Sequence, residues 1–311
     1  MDVMRIHALK QQLEKQIAAF SPVLLKDFPI KTYMELIDRY PKVGNYTYMS
    51  PEVKKLADTI SRSCSSEVFE SYHKCLLLSF IERAQEKSEF LSLPGEIRTY
   101  YSLNFERIFH DIESGVHEAG FYLYPSDKFL KDLGVCSLRL IPAGAQKLNL
   151  SPLPADFLFR NGTSQFIIGL AYVLFELRGF RPLYNMHTDS HDTHLMSEFN
   201  PAGWRNFLVR AADLIKLNPS VKGVFGKTWF VDPQLEKISP RLCYVRHIFN
   251  RNGGRFFYLG PCTSGIEDAV YKSPTRKKLY EYGKYIPKEY LGVWSGRSLI
   301  QWAERQKALM Q

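Results

Sequence analysis

The stretch NPAGWRNFLVRAADLIKLNPSVKGVFGKTWFV, residues 200–231, decides the fold that this sequence predicts. Asn200-Pro201-Ala202-Gly203 opens a segment that continues to Leu217 with apolar residues at helical spacing. Val221 to Val231 is rich in β-branched and aromatic residues, which is typical of a strand, and we expect another strand at Leu195 to Phe199. The predicted order of elements is therefore strand, loop, helix and strand.

Outward from this stretch, the first 120 residues have the apolar spacing of helices. Ser65 is expected to cap one long helix, and Gly115 to end another. Later residues predict strands and helices in turn. The further elements expected there are a strand at Val135 to Ile141, a helix at Ser164 to Arg178, a short strand at Arg181 to Met186, and a hairpin of Arg241 to Phe249 with Arg255 to Leu259.

These elements predict an α/β protein of the α+β kind, with a helical N-terminal region followed by a mixed, largely antiparallel sheet flanked by helices. The helical region is expected over residues 1–120. Residues 121–311 would form a catalytic α/β domain that ends in a basic helical C-terminal tail.

Composition narrows the class of protein. The chain has 45% hydrophobic and 23% charged residues, so a packed core is expected and global disorder is excluded. Its net charge of +9 favours an anionic ligand, such as a phosphorylated cofactor, nucleic acid or a membrane surface. Five scattered cysteines without a CxxC pair, and the lack of a secretory h-region or a transmembrane run, predict a cytoplasmic protein.

A histidine-rich segment follows the short strand that ends at Met186. His187, Asp189 and His191 are alternate residues, so in an extended segment they would project to one face. Together with His247 they could ligate iron or zinc, which would make the chain a metal-dependent enzyme. Alternatively, His187 could act as a general base that Asp189 orients. A solvated polar loop is the third interpretation.

The order of elements around Asn200 resembles that of GNAT-type N-acyltransferases. In that family a strand enters a glycine-rich loop, whose amides and following helix hold the pyrophosphate of coenzyme A. The resemblance implies an acyl-CoA co-substrate, or an acyl-carrier protein as donor, and a small-molecule amine as acceptor. It places the pyrophosphate at Asn200, Ala202, Gly203 and Arg205. Asn200 followed by Pro201 also predicts an ordinary capped helix start.

The same resemblance assigns the proton transfers. Glu198, His187 or His194 would take the proton of the amine, and Tyr258 or Cys243 would protonate the leaving thiolate. A second, non-catalytic alternative is binding of nucleic acid or another anionic ligand by the basic tail from Lys272, where tyrosines alternate with cations. The sequence carries no signal for the substrate or the oligomeric state.

Overall fold

The structure is a computed structural model that describes residues 3–115, 120–189, 192–263 and 265–310. It divides into two compact units, Met1–Pro142 and Ala143–Gln311. The division lies later in the chain than residue 120, because helix α8 (Asp127–Cys136) packs within the first unit against helix α5 (Ser66–Glu86). The two units are described separately.

The first unit is helical, as the sequence predicts. Ser65 caps α5 by accepting a hydrogen bond from the N–H of Val68, and Gly115, with φ of +63°, ends α7. The expected strand at Val135 is wrong, because Val135 and Cys136 complete α8. The remaining elements are α1 (Val3–Phe20), α2 (Leu24–Asp27), α3 (Ile30–Asp38), α4 (Pro51–Ser63), α6 (Ser88–Leu91), α7 (Gly95–Ser114) and the two-residue strand β1 (Ile141–Pro142).

His73, on α5, lies inside the core of this unit. Its ring stacks on Phe129 at 4.2 Å between centroids, and Nδ1 lies 2.9 Å from the carbonyl oxygen of Tyr122. Complete burial lowers the pKa of His73 to about 3, because desolvation disfavours the charged ring more than the hydrogen bond to Tyr122 favours it. His73 is therefore a neutral packing residue of the helical unit.

The second unit is built on a mixed sheet. Its five strands lie in the order β2-β3-β4-β6-β5, and only β3 and β4 run parallel to each other among the neighbouring pairs of these strands. The largely antiparallel sheet that the sequence predicts is therefore confirmed. The strands are β2 (Lys147–Ser151), β3 (Leu183–His187), β4 (Gly223–Thr228), β5 (Arg255–Pro261) and β6 (Lys288–Ser295).

Helices cover both faces of this sheet. On one face, Leu183, Phe225 and Phe257 join a buried cluster with Phe157 and Val173. On the other, Trp294 contacts Trp302 of α15 and Phe249 of α13. The helical elements are α9 (Gly162–Ala171), α10 (Thr193–Ser197), α11 (Pro201–Leu217), α12 (Leu235–Ile238), α13 (Cys243–Arg251), α14 (Pro274–Glu281) and α15 (Gly296–Met310), with 3₁₀-helices at Ala155–Phe159 and Pro240–Leu242 and π-helices at Tyr172–Glu176 and Glu267–Tyr271.

Three expectations for this unit are wrong. The strand expected at 195–199 is largely helix α10, which Asp192 caps by accepting from the N–H of Leu195. The segment 241–249 is mostly helix α13, because Val245 and Phe249, four residues apart, are both buried on one face. No hairpin forms there, and the tail contains the sheet strand β6. None of the helices in the described ranges is long and apolar enough to cross a membrane.

Candidate active site

The carboxyl ends of β3 and β4 form the candidate site. These parallel strands pair through Tyr184 with Val224 and Asn185 with Phe225. β3 continues to His187 and β4 to Thr228, beyond the two pairs. The chain leaves β3, passes through α10 and α11, and returns as β4. In open sheets, ligands bind beyond the carboxyl ends of such strands.

His187, the last residue of β3, is held by a side chain from the neighbouring strand. Its Nε2 lies 2.5 Å from Oδ1 of Asn149 on β2. The amide nitrogen of Asn149 donates to the carbonyl oxygen of Leu150, which fixes the orientation of that amide. Because Oδ1 can only accept, Nε2 of His187 carries the proton, and Nδ1 of the neutral ring is the proton acceptor.

Beside this pair, a buried lysine holds the loop between β3 and α10. Nζ of Lys147 lies 2.8 Å from the carboxylate of Asp189 and 3.2 Å from that of Asp192. All three residues are buried. Asp189, expected to orient His187 or to ligate a metal, is thus one half of an internal ion pair. Lys147, which the sequence analysis did not single out, fixes the start of α10 through its two acidic partners.

Glu198, an expected general base, is also an ion-pair residue. Its carboxylate lies 3.5 Å from Nη1 of Arg210, which also donates to the carbonyl oxygen of Ala143. A β-carbon at Gly144 would fall within 2.6 Å of both side chains, so this pair is packed directly over the turn before β2. These contacts give Glu198 a structural role beside the candidate site.

The start of α11 is closed by its own cap. Oδ1 of Asn200 accepts hydrogen bonds from the N–H groups of Ala202 and Gly203, at 3.0 Å each. A β-carbon at Gly203 would overlap the carbonyl oxygen of Glu198, so the glycine is needed for this tight approach. The two amides expected to hold pyrophosphate therefore already have a partner. Arg205 is exposed on the same helix.

Tyr258, the expected acid, does not meet His187. His187 points to the same face of the sheet as Leu183, because alternate residues of a strand share a face. Leu183 and Phe257 belong to one buried cluster, so Tyr258, next to Phe257, points to the opposite face. β4 and β6 also separate β3 from β5, which places their backbones about 14 Å apart. The two side chains cannot share one substrate.

The metal alternative places its residues on separate elements. His247 lies on helix α13, not on a strand, and its Nε2 is 3.4 Å from Glu236. His191 lies outside the described residues. In the described part of the chain, no group of three or more histidine, cysteine, aspartate or glutamate residues could hold a metal ion.

The basic tail is part of the folded unit. Arg276 is buried and donates to the carbonyl oxygen of Ala269, and its guanidinium lies 4.8 Å from the centre of the Trp229 ring. Lys307 pairs with Asp213 of α11 at 2.7 Å. These two cations therefore serve packing, and the interpretation as a separate helical tail is corrected.

Asn149 is the site residue that the sequence analysis missed. The segment Lys147-Leu148-Asn149-Leu150-Ser151 alternates polar and apolar residues, which is the signal of a strand. That alternation would have placed Lys147 and Asn149 on one face. Their pairing with β3 requires knowledge of the strand order, which one sequence does not contain.

No protein-family model matches the chain, and no curated protein matches its sequence. Among solved structures, an acyltransferase in complex with decanoyl-CoA has a TM-score of 0.50 at 12% sequence identity, over 85% of this chain and 76% of that one. An acyltransferase in complex with decanoyl-CoA and teicoplanin has a TM-score of 0.42 at 12% identity, over 72% of this chain and 66% of that one. The first likeness shows that the chain shares the fold of an acyltransferase structure.

Proposed function

We propose that the chain is an acyltransferase that moves an acyl group from acyl-CoA to an amine. The observation that carries the proposal is the β3–α11–β4 arrangement, whose parallel pairing is confined to two residue pairs before both strands continue. This order of elements is the one on which the GNAT resemblance rests, although β3 and not the segment 195–199 is the incoming strand. The shared fold with an acyltransferase structure supports it.

In this proposal, the pantetheine arm lies between the carboxyl ends of β3 and β4. Arg205, exposed near the start of α11, supplies a cation for the phosphates. The capped amides of Ala202 and Gly203 contribute only through the positive end of the helix dipole. The net charge of +9 favours the approach of this anionic substrate.

His187 is the proposed proton acceptor. The amine nitrogen attacks the thioester carbonyl carbon, the carbon–sulfur bond breaks, and the amine proton passes to Nδ1 of His187. Asn149 holds the ring so that Nε2 keeps its own proton. Since Tyr258 lies on the other face of the sheet, solvent protonates the departing thiolate in this scheme. An acyl-carrier protein as donor would use the same residues.

Titration of the full-length protein with decanoyl-CoA, followed by calorimetry, tests the coenzyme assignment. We expect binding with a dissociation constant below about 1 mM, which corresponds to roughly 4 kcal/mol. Arg205→Gln should weaken binding about fivefold, on the scale of one lost charge contact. Lys237→Gln, which removes an exposed lysine on α12, is the matched control and should change nothing.

No heat of binding up to millimolar decanoyl-CoA would rule out coenzyme A as the acyl carrier. A transfer assay then completes the test, because free thiol should appear only when an amine acceptor is present. Release of thiol at the same rate without any amine would instead indicate a thioesterase and would overturn the proposed transfer.

A further inference from the structure

The segment from 159 to 180 exposes a group of large apolar side chains. Phe159 is 73% exposed and Phe175 is 79% exposed. Single exposed apolar residues are common on protein surfaces, whereas a contiguous group marks a binding surface. We call this group the apolar ridge: Phe159, Ile167, Ile168, Leu174, Phe175 and Phe180.

The ridge follows one side of a continuous helical segment. Ile167 and Ile168 lie on α9, and Leu174 and Phe175 follow seven residues later on the π-helix. Seven residues are about two helical turns, so these four side chains project in similar directions. The other side of the segment, with Val173, packs into the sheet core. The segment is thus apolar on both sides, which is typical of helices that are covered on both sides.

Charged residues stand only at the ends of the ridge. No charged residue occurs from Asn161 to Phe175. Arg160 precedes this run and Arg178 and Arg181 follow it, all exposed. Asp156 already pairs with Arg160 at 2.8 Å, which leaves Glu176 as the acidic residue within the run from Arg160 to Arg181. An apolar stripe between cationic ends is the pattern of a helix that lies in a membrane interface.

We propose that the apolar ridge docks on the surface of an anionic lipid bilayer. Its side chains would enter the boundary between headgroups and acyl chains, while Arg178 and Arg181 reach lipid phosphates. The uncharged run is too short to span the hydrocarbon core, so the chain would lie on the membrane. The charge of +9 favours an anionic surface and opposes the association of two copies through this ridge.

Co-sedimentation with phosphatidylcholine vesicles, with and without phosphatidylglycerol, tests this surface. We expect the full-length protein to sediment with the phosphatidylglycerol vesicles and to bind less as salt is added. Ile168→Glu together with Phe175→Glu should weaken binding about tenfold or more, because two inserted side chains become charged. Phe20→Glu, at a residue that is 78% exposed on α1, is the matched control and should bind like the wild type.

Two results would overturn the docking surface. The first is a wild-type protein that stays in the supernatant with both kinds of vesicle, or a double variant that binds as well as the control. The second is a wild-type mass in light scattering of twice the chain that returns to one chain in the double variant, because a second copy would then occupy the ridge. Neither result depends on the proposed transferase activity.

Discussion

The ammonium nitrogen of Lys147 lies 2.8 Å from the carboxylate of Asp189, and both side chains are only 1% exposed. Asp192 approaches the same ammonium at 3.2 Å and also caps α10. A buried cation therefore ties the segment after β3 to β2. Because His187 immediately precedes this segment, the ion pair fixes the base of the proposed catalytic loop.

Lys147→Met should destabilise the protein by about 3–5 kcal/mol, since it leaves two buried carboxylates without their cation. Urea unfolding of both proteins measures the loss. Adding Asp189→Asn to Lys147→Met should recover part of it, because one of the uncompensated charges is removed. A loss below about 1 kcal/mol in the single variant would show that the pair is hydrated and not internal.

His187→Ala should leave the fold intact, with a stability loss of about 1 kcal/mol or less. Transfer activity should fall about a hundredfold or more, which is the usual effect of losing a general base. Steady-state rates with a fixed amine measure this. Asn149→Ala should lower kcat by less, because the ring remains but its tautomer is no longer fixed. Full activity in His187→Ala would direct attention to His191 and His194.

Asn200→Ala should cost about 1 kcal/mol, because two amides at the start of α11 lose their acceptor. Asn200→Asp keeps an acceptor there and should be close to the wild type in thermal unfolding. If Asn200→Ala were as stable as the wild type, the cap would not be what holds the start of α11.

Acid should destabilise the helical unit through His73. Its pKa is about 3 in the folded protein, below its ordinary value of 6.5, so the unfolded chain binds the proton more readily. The stability contributed by neutral His73 is complete above pH 6.5 and is lost as the pH falls toward 3. Between pH 7.5 and pH 5 the loss should be about 2 kcal/mol.

His73→Asn, which keeps a donor for the carbonyl oxygen of Tyr122, should remove this part of the pH dependence. Urea unfolding at the two pH values gives the comparison. His110→Gln, at an exposed histidine on α7, is the control and should retain the wild-type dependence. Parallel pH profiles of wild type and His73→Asn would contradict the assignment.

Local signals in the sequence were enough for the helices and for much of β3, β4 and β5. α11 was predictable because its apolar residues have helical spacing and Asn200 caps it. α13 was misread because its β-branched and aromatic residues favour strands, while the spacing of Val245 and Phe249 favours a helix. β6 was missed because Lys288, Glu289 and Gly292 weaken the signal of a strand that the sheet buries on both sides.

The candidate site was less predictable than the fold. His187 was found because histidine is chemically conspicuous, but its partner Asn149 lies 38 positions earlier. That contact arises from the pairing of β2 with β3, which is a property of the whole sheet. Tyr258 looked equally suitable because nothing local reveals that it faces the other way. Facing and strand order depend on tertiary packing, which spacing along one chain does not encode.

The position of β6 constrains how the second unit is made. β6 pairs with both β4 and β5, so these two strands become neighbours only through residues 288–295. During synthesis, β4 and β5 must leave the ribosome with open edges and wait for β6. Exposed edges of this kind invite pairing with other chains. Chaperone capture of the nascent chain should therefore be strongest after β5 has emerged and should end once residue 295 has emerged.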